Sequence, residues 1–294
     1  MLSDMELTDT HTHTMYSGHG EGEPKDTVAE AVRLGLTTFA ITEHLVLPAN
    51  IDPEGEYSLL PDQVYLYQQQ VRQEQEENLQ LDILLGVEVD WRDGAEGFIL
   101  EQLGLVGNDL QTTAPPAPTP YQLILGSVHA LTGESGIPDG FWPFDTETTI
   151  EGWQERSLRY VWEHYVKLWL DAVNSNVPFD IMAHPDLPKK LGFAPDFDAS
   201  YLWQQMAEAA AANSVIIECS TAGLYAPIEE IYPNPDLLSA FCRAGVPCTT
   251  ASDAHAPGLV ARDHDKAVEA MYAAGYRVVT VPTGTGDRRQ IEIR

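Results

Sequence analysis

The stretch TDTHTHTMYSGHGEG, residues 8–22, decides how this chain reads. It leaves a short β-rich run, MELTDTH, and carries Asp9, His11, His13 and His19. A His-x-His pair at the end of a strand puts both rings on the same side of the pleat, where both can grip one cation. Working outward, the same situation recurs at ITEH (His44), GVEVDW (Glu88), GSVHAL (His129), MAHPD (His184) and ASDAH (Asp253, His255). Seven of the nine histidines fall where a strand should end and a loop begin. Scattered structural histidines would not fall repeatedly at the same end of successive strands.

Between these points, strand-like and helix-like stretches alternate. Residues 24–35 read as a helix with Pro24 at its start and Gly35 stopping it. TTFAIT is β-rich; 61–79 is a polar, Gln-rich helix; DILLGVEVD and QLILGSV are strands. A long helix spans 155–175, with Trp and Tyr on its apolar stripe, and PFDIMAH follows as a strand. Helices over 199–213, 234–244 and 258–274 then alternate with the strands SVIIECS, VPCTTAS and YRVVTVP. Repeated β–α units imply a parallel sheet, and motif residues at the C-terminal strand ends sit where α/β barrels build active sites. Seven contributing strands converge more readily in a barrel than on an open sheet. No domain linker is visible, so one domain over 1–294 is expected. Segments 97–120, including the Pro/Thr-rich TTAPPAPTP, and 132–145 read as loop insertions, the second a candidate lid.

The chain has 294 residues, 44% of them hydrophobic, enough for a sizeable core. Its formal charge is −29, with 16 Lys and Arg against 45 Asp and Glu. Such a chain repels phosphate backbones, so a nucleic-acid partner is not expected. An anionic substrate would need a local positive centre, which bound metal ions supply. Three cysteines, none in a Cys-x-x-Cys pattern, give no disulfide framework and no thiolate zinc site. The acidic start MLSDMELTD does not read as a signal peptide, and no apolar run approaches the roughly 20 residues of a membrane span. The cytoplasm is the simple expectation, and oligomeric state is not legible.

Neutral imidazoles and carboxylates around di- or trivalent cations are the donors of hydroxide-generating sites. His11 and His13 can share one metal, His19 can reach a neighbouring one, and Glu88 can bridge two with its two oxygens. Asp253 and His255 are again two apart and can point together. Nine candidate ligands exceed one tetrahedral zinc and suit two or three ions ~3.5–4 Å apart. Such a cluster brings the pKa of bound water from ~15.7 to near 7, so a metal-bound hydroxide held by Glu88, Asp253 and His255 would attack phosphorus in line without a protein nucleophile. No G-x-S-x-G elbow, Walker A sequence or helix-opening G-x-G-x-x-G offers another chemistry.

In this order the motifs D-x-H-x-H, a third His, T-E-H, V-E, S-V-H, H-P-D and S-D-A-H resemble the polymerase and histidinol phosphatase (PHP) superfamily, from Asp9 to about Gly275. GSVHAL followed by WPFD, AHPDLPKK, and STAGL followed by IYPNPDLL are similar to its monofunctional histidinol-phosphatase branch. The resemblance implies a distorted (β/α)7 TIM-like barrel and a trinuclear cluster of iron, manganese or zinc. It implies His11, His13, Glu88 and Asp253 around one ion, Glu88, His129 and His184 around a second, and His19, His44 and His255 at a third. It further implies hydrolysis of L-histidinol phosphate to L-histidinol and phosphate. This chain departs from the branch at Tyr225, where many members have Arg after A-G-L.

A small phosphorylated substrate needs Arg or Lys near the cluster. Lys189, Lys190, Arg262 and Arg159 are the candidates, each weighed against a plain solvated charge. Glu218, ending SVIIECS, could pair with a substrate cation. Asp9 is a ligand or a partner orienting an imidazole, and Asp186 a plain turn residue or an acid behind the ligands. His164 and His264 read as packing or solvated residues. Two other functions stay open: a related phosphoesterase acting on another small phosphate or nucleotide, and a metal-binding module without catalysis.

Overall fold

The computed structural model describes residues 6–105, 119–133, 140–284 and 287–293. The elements run β1 (Leu7–Asp9), α1 (Pro24–Leu34), β2 (Leu36–His44), α2 (Val64–Glu77), β3 (Asp82–Asp90), α3 (Glu96–Gln102) and β4 (Leu123–Ser127). A small hairpin follows, β5 (Ala130–Thr132) and β6 (Phe141–Pro143), then α4 (Leu158–Val173) and β7 (Ile181–Met182). The chain ends with α5 (Ser200–Asn213), β8 (Ile216–Ser220), α6 (Pro235–Arg243), β9 (Cys248–Ala251), α7 (His264–Ala274), β10 (Val278–Pro282) and β11 (Arg288–Glu292).

Local chemistry sets the boundaries. Pro24 opens α1, Glu23 and Asp26 form a reciprocal capping box, and Gly35 closes it with φ 77°. The Ser157 hydroxyl caps α4 by accepting the Tyr160 N–H at 3.2 Å. That helix then buries Val161, Trp162, Tyr165, Leu168, Trp169 and Ala172 on one face.

Seven parallel strands form one sheet in the order β1-β2-β3-β4-β7-β8-β9. First and last strands meet again: Thr10 N–H donates to Thr250 O at 3.4 Å, its hydroxyl to the same oxygen at 3.1 Å, and Thr12 bridges Ala254. The sheet is thus a nearly closed barrel surrounded by helices. Ala40, Leu84, Leu123, Leu125, Ile181, Ala183 and Ile216 fill its interior, while a larger apolar core lies between sheet and helices. Strand periodicity carries this inner face upward. Leu84, Gly86 and Glu88 share it on β3, as do Ala40, Thr42 and His44 on β2, and Ile216 and Glu218 on β8. Gly86 is glycine for space: a Cβ there would stand 2.7 Å from Thr42 Cγ2.

Several boundaries differ from the sequence reading. MELTDTH contributes only Leu7–Asp9 and PFDIMAH only Ile181–Met182, because the motif residues beyond them turn inward. The run 258–274 divides into a 3-10 turn, Pro257–Leu259, and α7. YRVVTVP is not an eighth barrel strand: β10 pairs antiparallel with β11, which the sequence reading missed. Of the two expected insertions, 97–102 lies in α3, and 106–118 falls outside the described residues. The segment 132–145 is not a plain loop, since β6 pairs with β5, although 134–139 also falls outside the described residues.

Candidate metal centre

At the C-terminal mouth of the barrel, the side chains of His11, His13, His44, Glu88, His129, His184, Asp253 and His255 come together. Glu88 is fully buried at the centre. Its Oε2 lies 3.0 Å from His44 Nδ1, 3.2 Å from His11 Nε2 and 3.4 Å from His13 Nε2. Its Oε1 lies 3.0 Å from His184 Nε2 and 3.6 Å from His129 Nε2. Asp253 Oδ1 stands 3.3 Å from His13 Nε2 and 3.6 Å from His11 Nε2. The His19 ring stacks on His255 at 4.7 Å and lies 5.4 Å from His44. His184 and Asp253 hold left-handed backbone, φ 25° and 51°, a strain that functional sites commonly store.

Hydrogen bonds behind the rings fix what each can offer. His11 Nδ1–H donates to Glu218 Oε2 at 2.9 Å. His13 Nδ1–H donates to Ser17 Oγ at 2.9 Å, and the Ser17 hydroxyl donates in turn to Glu43. Glu43 also accepts from the Thr14 N–H and hydroxyl, at 2.8 and 2.6 Å. His255 Nδ1–H donates to Asp253 O at 3.0 Å, and His19 Nδ1–H to Glu56 O at 3.2 Å. Asp90 braces the next strand, accepting the His129 N–H at 3.0 Å with the ring nitrogen 3.4 Å away. With its Nδ1 proton committed outward, a neutral imidazole turns its Nε2 lone pair to the centre. His11 Nε2 and His13 Nε2 are 2.9 Å apart. Two ring nitrogens at that distance either share a proton, when one imidazole is charged, or face each other around a shared cation, when both are neutral.

Charge tells the same story. Burial lowers the His11 pKa, but Glu218, Glu88 and Asp253 outweigh it and raise it well above the ordinary value. His44 and His255 go the other way through burial, His255 to about 3. Against burial, the surrounding imidazoles hold Glu88 and Asp253 well below the usual carboxylate range. Buried Glu88 Oε2 and His255 Nε2 have no hydrogen-bond partner among the described residues. Donor atoms lie within 4.8 Å of one another in the triples His11–His13–Asp253, His44–Glu88–His129 and His13–His44–His255. The donor set therefore fits metal cations. A fourth triple, His11–His184–Glu218, is close too. There both Glu218 oxygens are engaged, by the His11 ring and by the His184 N–H at 2.8 Å.

Glu218 is thus not turned to a substrate but is a fully buried brace, behind the His11 imidazole and under the His184 backbone N–H. Lys189 is committed away from a phosphate: its ammonium contacts Asp186, Glu230 and Ile231 O at 3.0, 2.6 and 2.7 Å. Arg159 lies on the outer surface of α4, donating to Tyr201 Oη at 3.2 Å, and is not at the mouth. Asp9 turns to backbone groups and a hydroxyl rather than to an imidazole. It accepts from the backbone N–H groups of Ser252 (2.9 Å) and Ala261 (2.7 Å) and from the Ser252 hydroxyl, tying β1 to the loop that presents Asp253 and His255. Asp186 accepts from the Asn234 N–H at 2.7 Å and pairs with Lys189, so it braces the neighbouring turn rather than a ligand.

Lys190 pairs with Asp145 at 3.0 Å, and its charge is felt by Asp253 and Glu88. Arg262 lies flat on the Tyr225 ring, 3.3 Å from its centroid, with Nε buried and without a hydrogen-bond partner among the described residues. His164 and His264 are buried packing residues, His164 Nε2–H donating to Thr132 O at 2.9 Å. The sequence reading missed Ser17, Asp90, Asp145 and the bracing role of Glu43. Glu43 had a sequence signal in its position beside His44, and Asp90 and Asp145 lie within the quoted motifs GVEVDW and WPFD without having been singled out.

The PHP domain family model matches residues 9–222. A Deinococcus radiodurans protein named a probable histidinol-phosphatase is 32% identical over 274 residues, spanning 93% of this chain and 96% of its own. A Schizosaccharomyces pombe protein of the same name is 24% identical over 85% of this chain and 81% of its own. Among solved structures, a Listeria monocytogenes protein assigned as a histidinol phosphatase superimposes with a TM-score of 0.75 at 19% identity, covering 88% of this chain and 99% of that one. The Lactococcus lactis histidinol phosphate phosphatase, solved with zinc, L-histidinol and phosphate, gives 0.71 at 22%, covering 95% and 97%. Its length matched, its barrel shared and its motifs gathered at one mouth, this chain belongs to the PHP domain family.

Proposed function

We propose that this protein is a metal-dependent phosphate monoester hydrolase, acting as one phosphoesterase unit, that cleaves L-histidinol phosphate to L-histidinol and phosphate. The observation that carries the reading is the pair of imidazole nitrogens, His11 Nε2 and His13 Nε2, 2.9 Å apart beside Glu88 and Asp253. The relatives' name supports the substrate.

In this reading His11, His13, Glu88 and Asp253 hold one ion, Glu88, His129 and His184 a second, and His19, His44 and His255 a third, with iron, manganese or zinc as occupants. When bound, such ions supply a water of lowered pKa and neutralise charge on a phosphoryl group. The chain's own residues prepare for this. Glu218 and the Ser17–Glu43 pair keep the Nδ1 protons of His11 and His13 outward, so both rings present lone pairs. Lys190, held by Asp145, adds positive charge near Glu88 and Asp253 for an anionic ester, and Arg262 is a second candidate.

A second reading, another small phosphate or nucleotide, is favoured by Tyr225, which presents a phenol with Arg262 stacked on it where many branch members have Arg. Phosphate release from L-histidinol phosphate, beside generic monoesters and nucleotides, with added manganese or zinc and an EDTA control, separates the two. Preference for histidinol phosphate, lost with EDTA and in His13→Ala, is expected. Metal-dependent turnover of other esters alone would overturn the substrate, and no turnover with metal bound would leave a non-catalytic module.

A further inference from the structure

Tyr232 is the residue at this mouth whose chemistry the metal centre leaves unused. It is 1% exposed, and its hydroxyl is buried without a hydrogen-bond partner among the described residues. A buried hydroxyl left unpaired destabilises a fold, so native structures rarely leave one unmatched without a reason. The phenol stands edge-on to the His184 ring, centroids 6.4 Å apart. Burial, then the carboxylates of Asp186, Asp253 and Asp145, push its pKa up, so the phenol keeps its proton.

The ring is also held rigidly. Tyr232 N–H donates to Ser220 O at 3.0 Å and Ser220 N–H to Tyr232 O at 2.7 Å, pinning the residue to the end of β8. The Lys189 ammonium lies 5.3 Å from the ring centroid. Gly223 makes room: a Cβ there would stand 2.0 Å from Glu230 O and 3.0 Å from Tyr232 Cζ. A phenol fixed this well with its donor uncommitted is organised for a ligand rather than for the fold.

We propose that the Tyr232 hydroxyl is a substrate-binding donor, giving its hydrogen bond to a phosphoryl oxygen of the ester and of the product phosphate. The assignment rests on the phosphatase reading above. A phosphoryl group carries acceptor oxygens and no obligatory donors, which suits a lone hydroxyl donor next to a cationic cluster and Lys190.

The test is Tyr232→Phe in the metal-loaded protein, which removes one oxygen. Its readouts are inhibition by inorganic phosphate, KM against kcat, metal content and thermal midpoint. Expected are a roughly tenfold weaker phosphate inhibition and a KM raised to match, in keeping with a hydrogen bond to a charged acceptor. Metal content should be unchanged and the midpoint equal or higher, since an unpaired buried hydroxyl has gone. Unaltered phosphate inhibition and KM in Tyr232→Phe would overturn the assignment, leaving the hydroxyl a structural group. Wild-type protein that hydrolyses no phosphate monoester and is insensitive to phosphate would instead sink the phosphatase reading and this assignment with it.

Discussion

At Glu218 one carboxylate decides what His11 offers the centre. The acceptor behind Nδ1 keeps that proton outward, and replacing it with an amide lets the ring take the other tautomer. Glu218→Gln is expected to lower metal affinity or turnover roughly 10- to 100-fold, the usual loss when a partner behind a ligand is removed. Metal analysis of the purified variant beside its kcat checks this, and full metal content with wild-type turnover would contradict it. Glu43→Gln should act more mildly through Ser17, because Thr14 can still donate to the remaining carbonyl oxygen. The histidines, Glu88 and Asp253 were legible in the sequence because their spacing on strand ends has a fixed geometric meaning. Glu218 was not, for it lies 207 residues from His11, and no local pattern says which rim side chain turns behind a ring. Lys189 and Lys190 are neighbours in sequence, yet one side chain is sealed under Glu230 and the other faces Asp145, a difference made by a single 3-10 turn.

Among the elements, α7 carries a pH response of its own. His264 opens that helix, is 8% exposed, and burial pushes its pKa down from the ordinary 6.5 to about 4. Between those values the unfolded chain takes up a proton that the folded protein refuses, so stability falls as pH drops from about 6.5 towards 4. The full span corresponds to about 3 kcal/mol, of which about 2 kcal/mol is lost by pH 5. His264→Gln should therefore flatten the acid limb, read as the change in thermal midpoint between pH 7 and pH 5. An acid limb as steep as wild type would refute it. Element order was readable because capping residues and hydrophobic periodicity act locally, as at Pro24 and Gly35. The role of β10 was not, since YRVVTVP has the composition of a barrel strand, and the polar segment RRQIE that follows does not read as the antiparallel partner β11 that removes it from the barrel.

For the whole molecule, the metal centre is a stabilising device as much as a chemical one. Ions that bind only the folded chain add about 2.7 kcal/mol per site at a hundredfold excess over Kd. For a chain of this size, EDTA treatment should lower the thermal midpoint by roughly 5–8 °C per ion lost, and manganese or zinc should restore it. A midpoint indifferent to EDTA would mean that the fold does not feel the centre. The outer packing is a separate contribution: Trp169→Ala, deleting a fully buried ring on α4, should cost about 3–5 kcal/mol with or without metal. Denaturant unfolding in EDTA and in manganese would show the same loss in each.

Asp9, at the end of the first barrel strand, grips Ser252 and Ala261, and the centre takes donors from His11 at one end of the chain and His255 at the other. Contacts this distant form late, after the loop between them has been closed. A chain still short of residue 253 already owns the His44–Glu88–His129 triple, but the His11–His13–Asp253 and His13–His44–His255 triples are complete only once the last barrel strand has joined the first.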